Sequence, residues 1–250
     1  MRRVLLVIVA LLASPLASAQ QKNACANTLG RGWPVAGQNW GAAVEQLFSV
    51  GLTESPALSL TRLPEKDIES GLMLIPSAAG IASGDDWTLR YVEADKRVHY
   101  WKGNDLVLRV EQEPEIQDVP IPADVATELL DVWYRALSVA SPVGAPAMFD
   151  DTEAWTFAIG SLRASGPPPR CGAFAKMREQ VELLIEASDE GEEKRKRRWE
   201  QLQALTDELS AMLAADFPTV DKDLDWGDNW TNPDAPKDSP STESDTPSRP

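Results

Sequence analysis

A change of hydrophobic period at Pro122-Ala123 constrains this chain more than any other feature. Before it, apolar residues recur at every second position. Leu58-Ser59-Leu60-Thr61-Arg62 alternates, Gly71-Leu72-Met73-Leu74-Ile75 is a short apolar run, and Trp87, Leu89 and Tyr91 share one face of the next segment. A polar turn at Ala94-Asp95-Lys96-Arg97 leads into Val98-His99-Tyr100-Trp101. The tight turn Lys102-Gly103-Asn104-Asp105 then leads into a segment through Leu106, Leu108 and Val110. Period two marks half-buried strands, and short neighbours joined by tight turns pair antiparallel. Pro114, Pro120 and Pro122 are expected to end the sheet.

After Ala123 the spacing is helical. Val125 or Ala126, Leu129, Leu130, Trp133 and Leu137 form one stripe, Asp124 and Glu128 lie near its positive end, and Ser141-Pro142 stops it. A short helix is expected from Ala42 to Phe48, and a further strand at Trp155-Thr156-Phe157-Ala158-Ile159. Strands covered by helices at 123–140 and 174–188 make an α+β fold, an antiparallel strand meander packed against helices.

The C-terminal part reads two ways. Phe174, Met177, Val181 and Leu184 begin a stripe whose phase continues to Leu202, Leu205, Leu209 and Met212, as in one kinked helix. Ser188-Asp189-Glu190-Gly191-Glu192-Glu193 instead reads as a turn and a new helix start, which favours two helices. Glu190, Glu192 and Glu193 stand four residues ahead of Lys194, Lys196 and Arg197, so ion pairs along the helix are expected. From Asp216 onward Asp, Pro, Ser and Thr dominate, the composition of a disordered acidic tail. The expected layout is a signal peptide at 1–19, a Trp-rich α+β domain at 20–188, a C-terminal helical extension at 189–215 and the tail at 216–250.

The leader points to export. Arg2 and Arg3 precede an apolar stretch from Val4 to Ala13, Pro15 breaks it, and Ala17-Ser18-Ala19 supplies a small-residue cleavage site. That stretch is about ten residues, half the ~20 a membrane helix needs. The chain is therefore expected in the periplasm or outside the cell, with no membrane span after cleavage. In an oxidising compartment Cys25 and Cys171 are expected to pair as a disulfide. Closing so long a loop stabilises by about 4–5 kcal/mol in the chain-entropy picture.

Composition removes several function classes. A formal net charge of -15 argues against nucleic-acid binding, which needs a basic face. His99 is the single histidine, and no phosphate loop, dinucleotide fingerprint, serine elbow or zinc cluster appears. No catalytic residue, cofactor or metal is assigned. Asp221 to Gly227 imitates a calcium loop, but its glycine falls one place late and Asn232 stands where the bidentate Glu belongs. Asp85-Asp86 and Asp150-Asp151, with Glu153 close by, are acidic pairs at turns ahead of Trp-containing strands; a glycosidase needs two carboxylates across a cleft, which neighbours in sequence do not establish. Trp226 and Trp230 in a polar tail suit docking, either onto the protein's own domain or onto a partner protein. An acidic surface suits a basic exported partner by electrostatic complementarity. The expectation is a non-enzymatic protein-binding accessory of the envelope, an adaptor or inhibitor; the alternative is an envelope glycan hydrolase using paired carboxylates.

The intact mass of the exported chain, taken without reductant, is expected to match residues 20–250 less two hydrogens. A chain still beginning at Met1, or one with two alkylatable thiols, contradicts the leader or the disulfide respectively.

Overall fold

The computed structural model describes residues 29–33, 38–77, 87–141, 147 and 153–216. The leader at 1–19, Cys25, Asp85, Asp86, Asp150, Asp151 and residues 217–250 with Trp226 and Trp230 lie outside the described residues. In chain order the elements are β1 (Gly30–Arg31), α1 (Gln38–Phe48), β2 (Leu58–Leu63), β3 (Ser70–Ile75), β4 (Trp87–Glu93), β5 (His99–Lys102) and β6 (Asp105–Leu108). They continue with β7 (Glu115–Ile121), α2 (Ala123–Ala140), β8 (Ala154–Ile159), β9 (Leu162–Gly166), α3 (Gly172–Asp189) and α4 (Glu192–Asp216). The fold is α+β. Seven strands form one antiparallel sheet in the order β1-β9-β8-β2-β3-β4-β7, and helices pack against it.

Three features differ from the sequence expectation. The segments around His99 and Leu108 are strands, but they pair only with each other as a separate hairpin. The chain leaves the sheet at Ala94 and Val98, which are buried in the core beside α1 instead of continuing the ladder. The prolines do not end the sheet, because β7 runs through Pro120 and pairs with β4. Proline is tolerated there because β7 is the edge strand of the sheet and needs only one neighbour. Finally, β9 completes a hairpin with β8, although Leu162-Arg163-Ala164-Ser165-Gly166 has little strand character of its own.

Register explains why β3 is apolar from Gly71 onward. Leu58, Leu74 and Leu89 are aligned across three strands, as are Leu60, Leu72 and Phe157. This face meets the helices: the Trp133 ring of α2 stands edge-on to Phe157, centroids 5.6 Å apart. The opposite face presents Leu63, Met73, Val92 and Ala154 to Trp40, Ala43, Val44, Leu47 and Phe48 of α1. A strand covered on both sides has no polar face to show, so Gly71 to Leu74 are all buried.

The C-terminal segment is a helical hairpin that turns at Glu190, where the backbone is extended (φ -93, ψ 151). Because Glu190 is outside the helix, the expected pair with Lys194 gives way to another. Arg198 takes Glu190 at 2.9 Å and Glu186 at 3.0 Å. Arg195 donates to the carbonyls of Ala187 and Glu190, closing the end of α3. The hairpin carries a buried polar chain. Trp133 Nε1 donates to Gln180 Oε1 at 2.7 Å, and Gln180 Nε2 donates to Thr206 Oγ1 at 2.9 Å. Thr206 in turn donates to the Leu202 carbonyl at 2.8 Å. One side chain from each of α2, α3 and α4 is thereby fixed, and Trp199, Leu202, Leu209 and Leu213 are buried. No helix among the described residues is long and apolar enough to cross a membrane.

Gly71 sets how closely α1 approaches the sheet. A Cβ there would lie 2.9 Å from the Phe48 ring and 3.1 Å from the Leu60 carbonyl oxygen. Phe48 is fully buried and has nowhere to retreat. Gly71→Ala is expected to cost about 1–3 kcal/mol by overpacking, read as a lowered urea midpoint. An unchanged midpoint would show that α1 is not seated on β3.

Candidate functional site

Glu69, just ahead of β3, is a carboxylate with 0 % exposure. Its main-chain carbonyl accepts the Ala94 N–H at 3.0 Å, which brings the 94–98 segment alongside. Burying an ion is tolerable only if donors surround it. Three do. The Val98 N–H donates to Oε2 at 2.8 Å, and Trp40 Nε1 donates to Oε1 at 3.1 Å. His99 Nδ1 lies 3.1 Å from the same Oε1. The Trp40 and His99 rings lie 3.8 Å apart between centroids. Burial by itself pushes the Glu69 carboxyl up; the bonds from His99, the Val98 N–H and Trp40 outweigh it and hold the group below its ordinary value.

The other imidazole nitrogen fixes the tautomer. His99 Nε2 is 3.1 Å from Arg97 Nη2. A guanidinium only donates, so Nε2 must be the bare acceptor and the ring proton must sit on Nδ1, toward Glu69. The result is a row of Glu69 carboxylate, His99 imidazole and Arg97 guanidinium. Arg97 Nε is buried with no hydrogen-bond partner.

His99 and Arg97 of this row wall a cleft of about 480 Å³, with Glu69 buried behind them; Ile68, Asp95, Lys96, Tyr100, Trp101 and Arg109 also line it. The Arg109 guanidinium lies 4.0 Å over the Tyr100 ring. Lys96 is paired with Asp95 at 3.2 Å, whereas neither Arg97 nor Arg109 meets a carboxylate at ion-pair distance among the described residues. Trp101 is 66 % exposed and faces Leu106, itself 42 % exposed, across the hairpin. Chemically the arrangement suits recognition. Both nitrogens of His99 are engaged, so no lone pair is free to take a proton from a substrate.

The residues singled out by sequence are dispersed. Cys171 sits at the N-cap of α3, and no free cysteine occurs among the described residues. Glu153 accepts from Arg62 Nε at 3.3 Å and Nη2 at 3.2 Å, and from Trp155 Nε1. Of that carboxylate group it alone falls within the described residues. Among those residues no three His, Cys, Asp or Glu side chains gather as metal ligands. Sequence reasoning placed His99 in a strand and missed Glu69 and Arg97. The available signal was an acidic residue two positions ahead of a wholly apolar run, with the chain's single histidine on the hairpin farther along. No protein-family model, curated protein or solved structure matches the chain.

A carboxylate held below its ordinary value adds stability that is complete above that ordinary value and fades as pH falls through the folded one. The urea midpoint of Glu69→Gln is expected well below that of the parent at pH 7. The gap should narrow as pH drops from 5 toward 3. A constant gap would mean that Glu69 is not charged in the fold.

Proposed function

We propose that the chain is an exported, non-enzymatic binding protein, an adaptor or inhibitor in the periplasm or outside the cell, and that it grips a protein partner with the β5–β6 hairpin. The observation that carries this reading is Trp101, 66 % exposed on a hairpin whose base is anchored through His99 to a buried carboxylate. A large aromatic held in water on a rigid support is the kind of residue that dominates binding energy when a partner covers it. β5 and β6 each have only one strand neighbour, so their outer edges offer backbone groups for a further strand. Trp226 and Trp230 belong to the proposal as a second aromatic contact. The Cys25–Cys171 bridge belongs to it as the feature suited to an oxidising compartment. The glycan-hydrolase alternative would require Glu153 to be released from Arg62, which now engages it through two nitrogens.

A photoreactive residue at Trp101 or at Leu106, carried on the exported chain in its native envelope, tests the reading against one at exposed Ala204 of α4. One discrete protein adduct is expected from both hairpin positions and none from Ala204. Against that purified partner, Trp101→Ala should weaken binding by about tenfold or more. An adduct formed equally at Ala204, or none at the hairpin, overturns the assignment.

A further inference from the structure

The cleft at the hairpin base has chemistry that the exposed tip does not. It holds two arginines that meet no carboxylate at ion-pair distance among the described residues, while Asp95 of the same lining is taken by Lys96, on a chain with 39 acidic and 24 basic residues. In such a chain a cation left unpaired beside a concavity calls for a reason. Arg97 is held from behind, because its Nη2 is used on His99 and His99 is tied to Glu69. Its Nε finds no acceptor among the described residues. A buried N–H without a partner costs free energy that an incoming acceptor recovers once the guanidinium turns to meet it. Arg109 is exposed, with its guanidinium carbon 4.0 Å over the Tyr100 ring, and its N–H groups are donors for a ligand.

We infer that this cleft receives a carboxylate from an acidic, extended peptide segment of the partner, with Arg97 and Arg109 as its ligands. The inference rests on the reading that the hairpin docks a protein, and it names the chemistry of that protein. Planar guanidinium groups match carboxylate oxygens in pairs, and charge-assisted bonds of this kind are stronger than neutral ones. The segment is extended because strands with unpaired edges flank the cleft, and it is apolar at its next contact because Trp101 and Leu106 lie there. The net charge of -15 does not forbid an acidic ligand. Charges farther than about 8 Å are largely screened at physiological salt, so the local cations govern the docked state.

His99 supplies an uncrowded probe, since the chain has one histidine. Its ring resonances in the full mature chain would be followed by NMR during titration with an end-blocked hexaglutamate peptide. The controls are the hexaglutamine peptide and sodium chloride at matched ionic strength. A saturable shift with hexaglutamate alone is expected. Arg97→Gln should abolish it, and Arg109→Gln, on an exposed residue whose loss leaves the core untouched, should weaken it about tenfold, the worth of one charged hydrogen bond. Equal shifts with sodium chloride or hexaglutamine, or an unchanged titration in Arg109→Gln, overturn the inference. Saturation seen only after deletion of residues 217–250 would make the chain's own acidic end the occupant and overturn the assignment to a partner. If crosslinking at Trp101 succeeds while the peptide fails, the hairpin binds a protein of other chemistry. The converse leaves the carboxylate site standing and removes the docking reading.

Discussion

A carboxylate with no access to water governs how the parts of this protein are placed. Glu69 is the buried ion around which α1, the 94–98 segment and the β5–β6 hairpin are arranged, because each supplies one of its donors. Move any of them and an ionised group is left short of a partner in a low-dielectric interior, where the penalty is several kcal/mol. The opposite face of the sheet uses a milder version of the same device. There an uncharged amide, Gln180, joins Trp133 to Thr206, so the helices are tied without a charge to satisfy. The buried link on one face of the sheet is thus a charged group, and the buried link on the other is neutral.

The periodicity of the sequence was enough to locate β2, β3, β4, β8 and all four helices, with α2 found at its observed limits. What alternation cannot say is which sheet a strand joins. His99 to Leu108 alternates as well as the central strands do, yet Ala94 and Val98 divert it into the core beside α1. Prolines gave the opposite error. Pro120 marks a strand unfit for the middle of a sheet, and only the tertiary arrangement reveals that β7 is at the edge. The ambiguous phase from Phe174 to Met212 resolves at Glu190, through Arg195 and Arg198 contacts that local pattern does not encode. The candidate site was the least legible part. Glu69 is ordinary in its neighbourhood, and two of its donors are 29 residues away in opposite directions along the chain.

The hairpin combines a fixed base with an open tip. Near the sheet it is secured by the Glu69–His99–Arg97 row and by the Arg109 N–H donating to the Val98 carbonyl at 2.6 Å. Farther out, Lys102 and Asp105 face each other across the turn in solvent. In the proposed binding role, a hairpin built this way would give up little conformational freedom when covered, and the smaller entropic cost counts toward affinity.

The order of strands also determines when the sheet can come into being. Its central pair joins β2 to β8, with Arg62 and Glu153 separated by 91 positions along the chain, and β1 waits for β9 across a still longer span. Contacts so distant in sequence form slowly, since a large loop must close before they are rewarded. The β1-β9-β8 side of the sheet therefore cannot assemble until residues 154–166, about two thirds of the way along the polypeptide, are present. For a chain threaded through a narrow pore from its N-terminus, as the proposed export route requires, that delay keeps the leading part pliable until the trailing strands have followed it across.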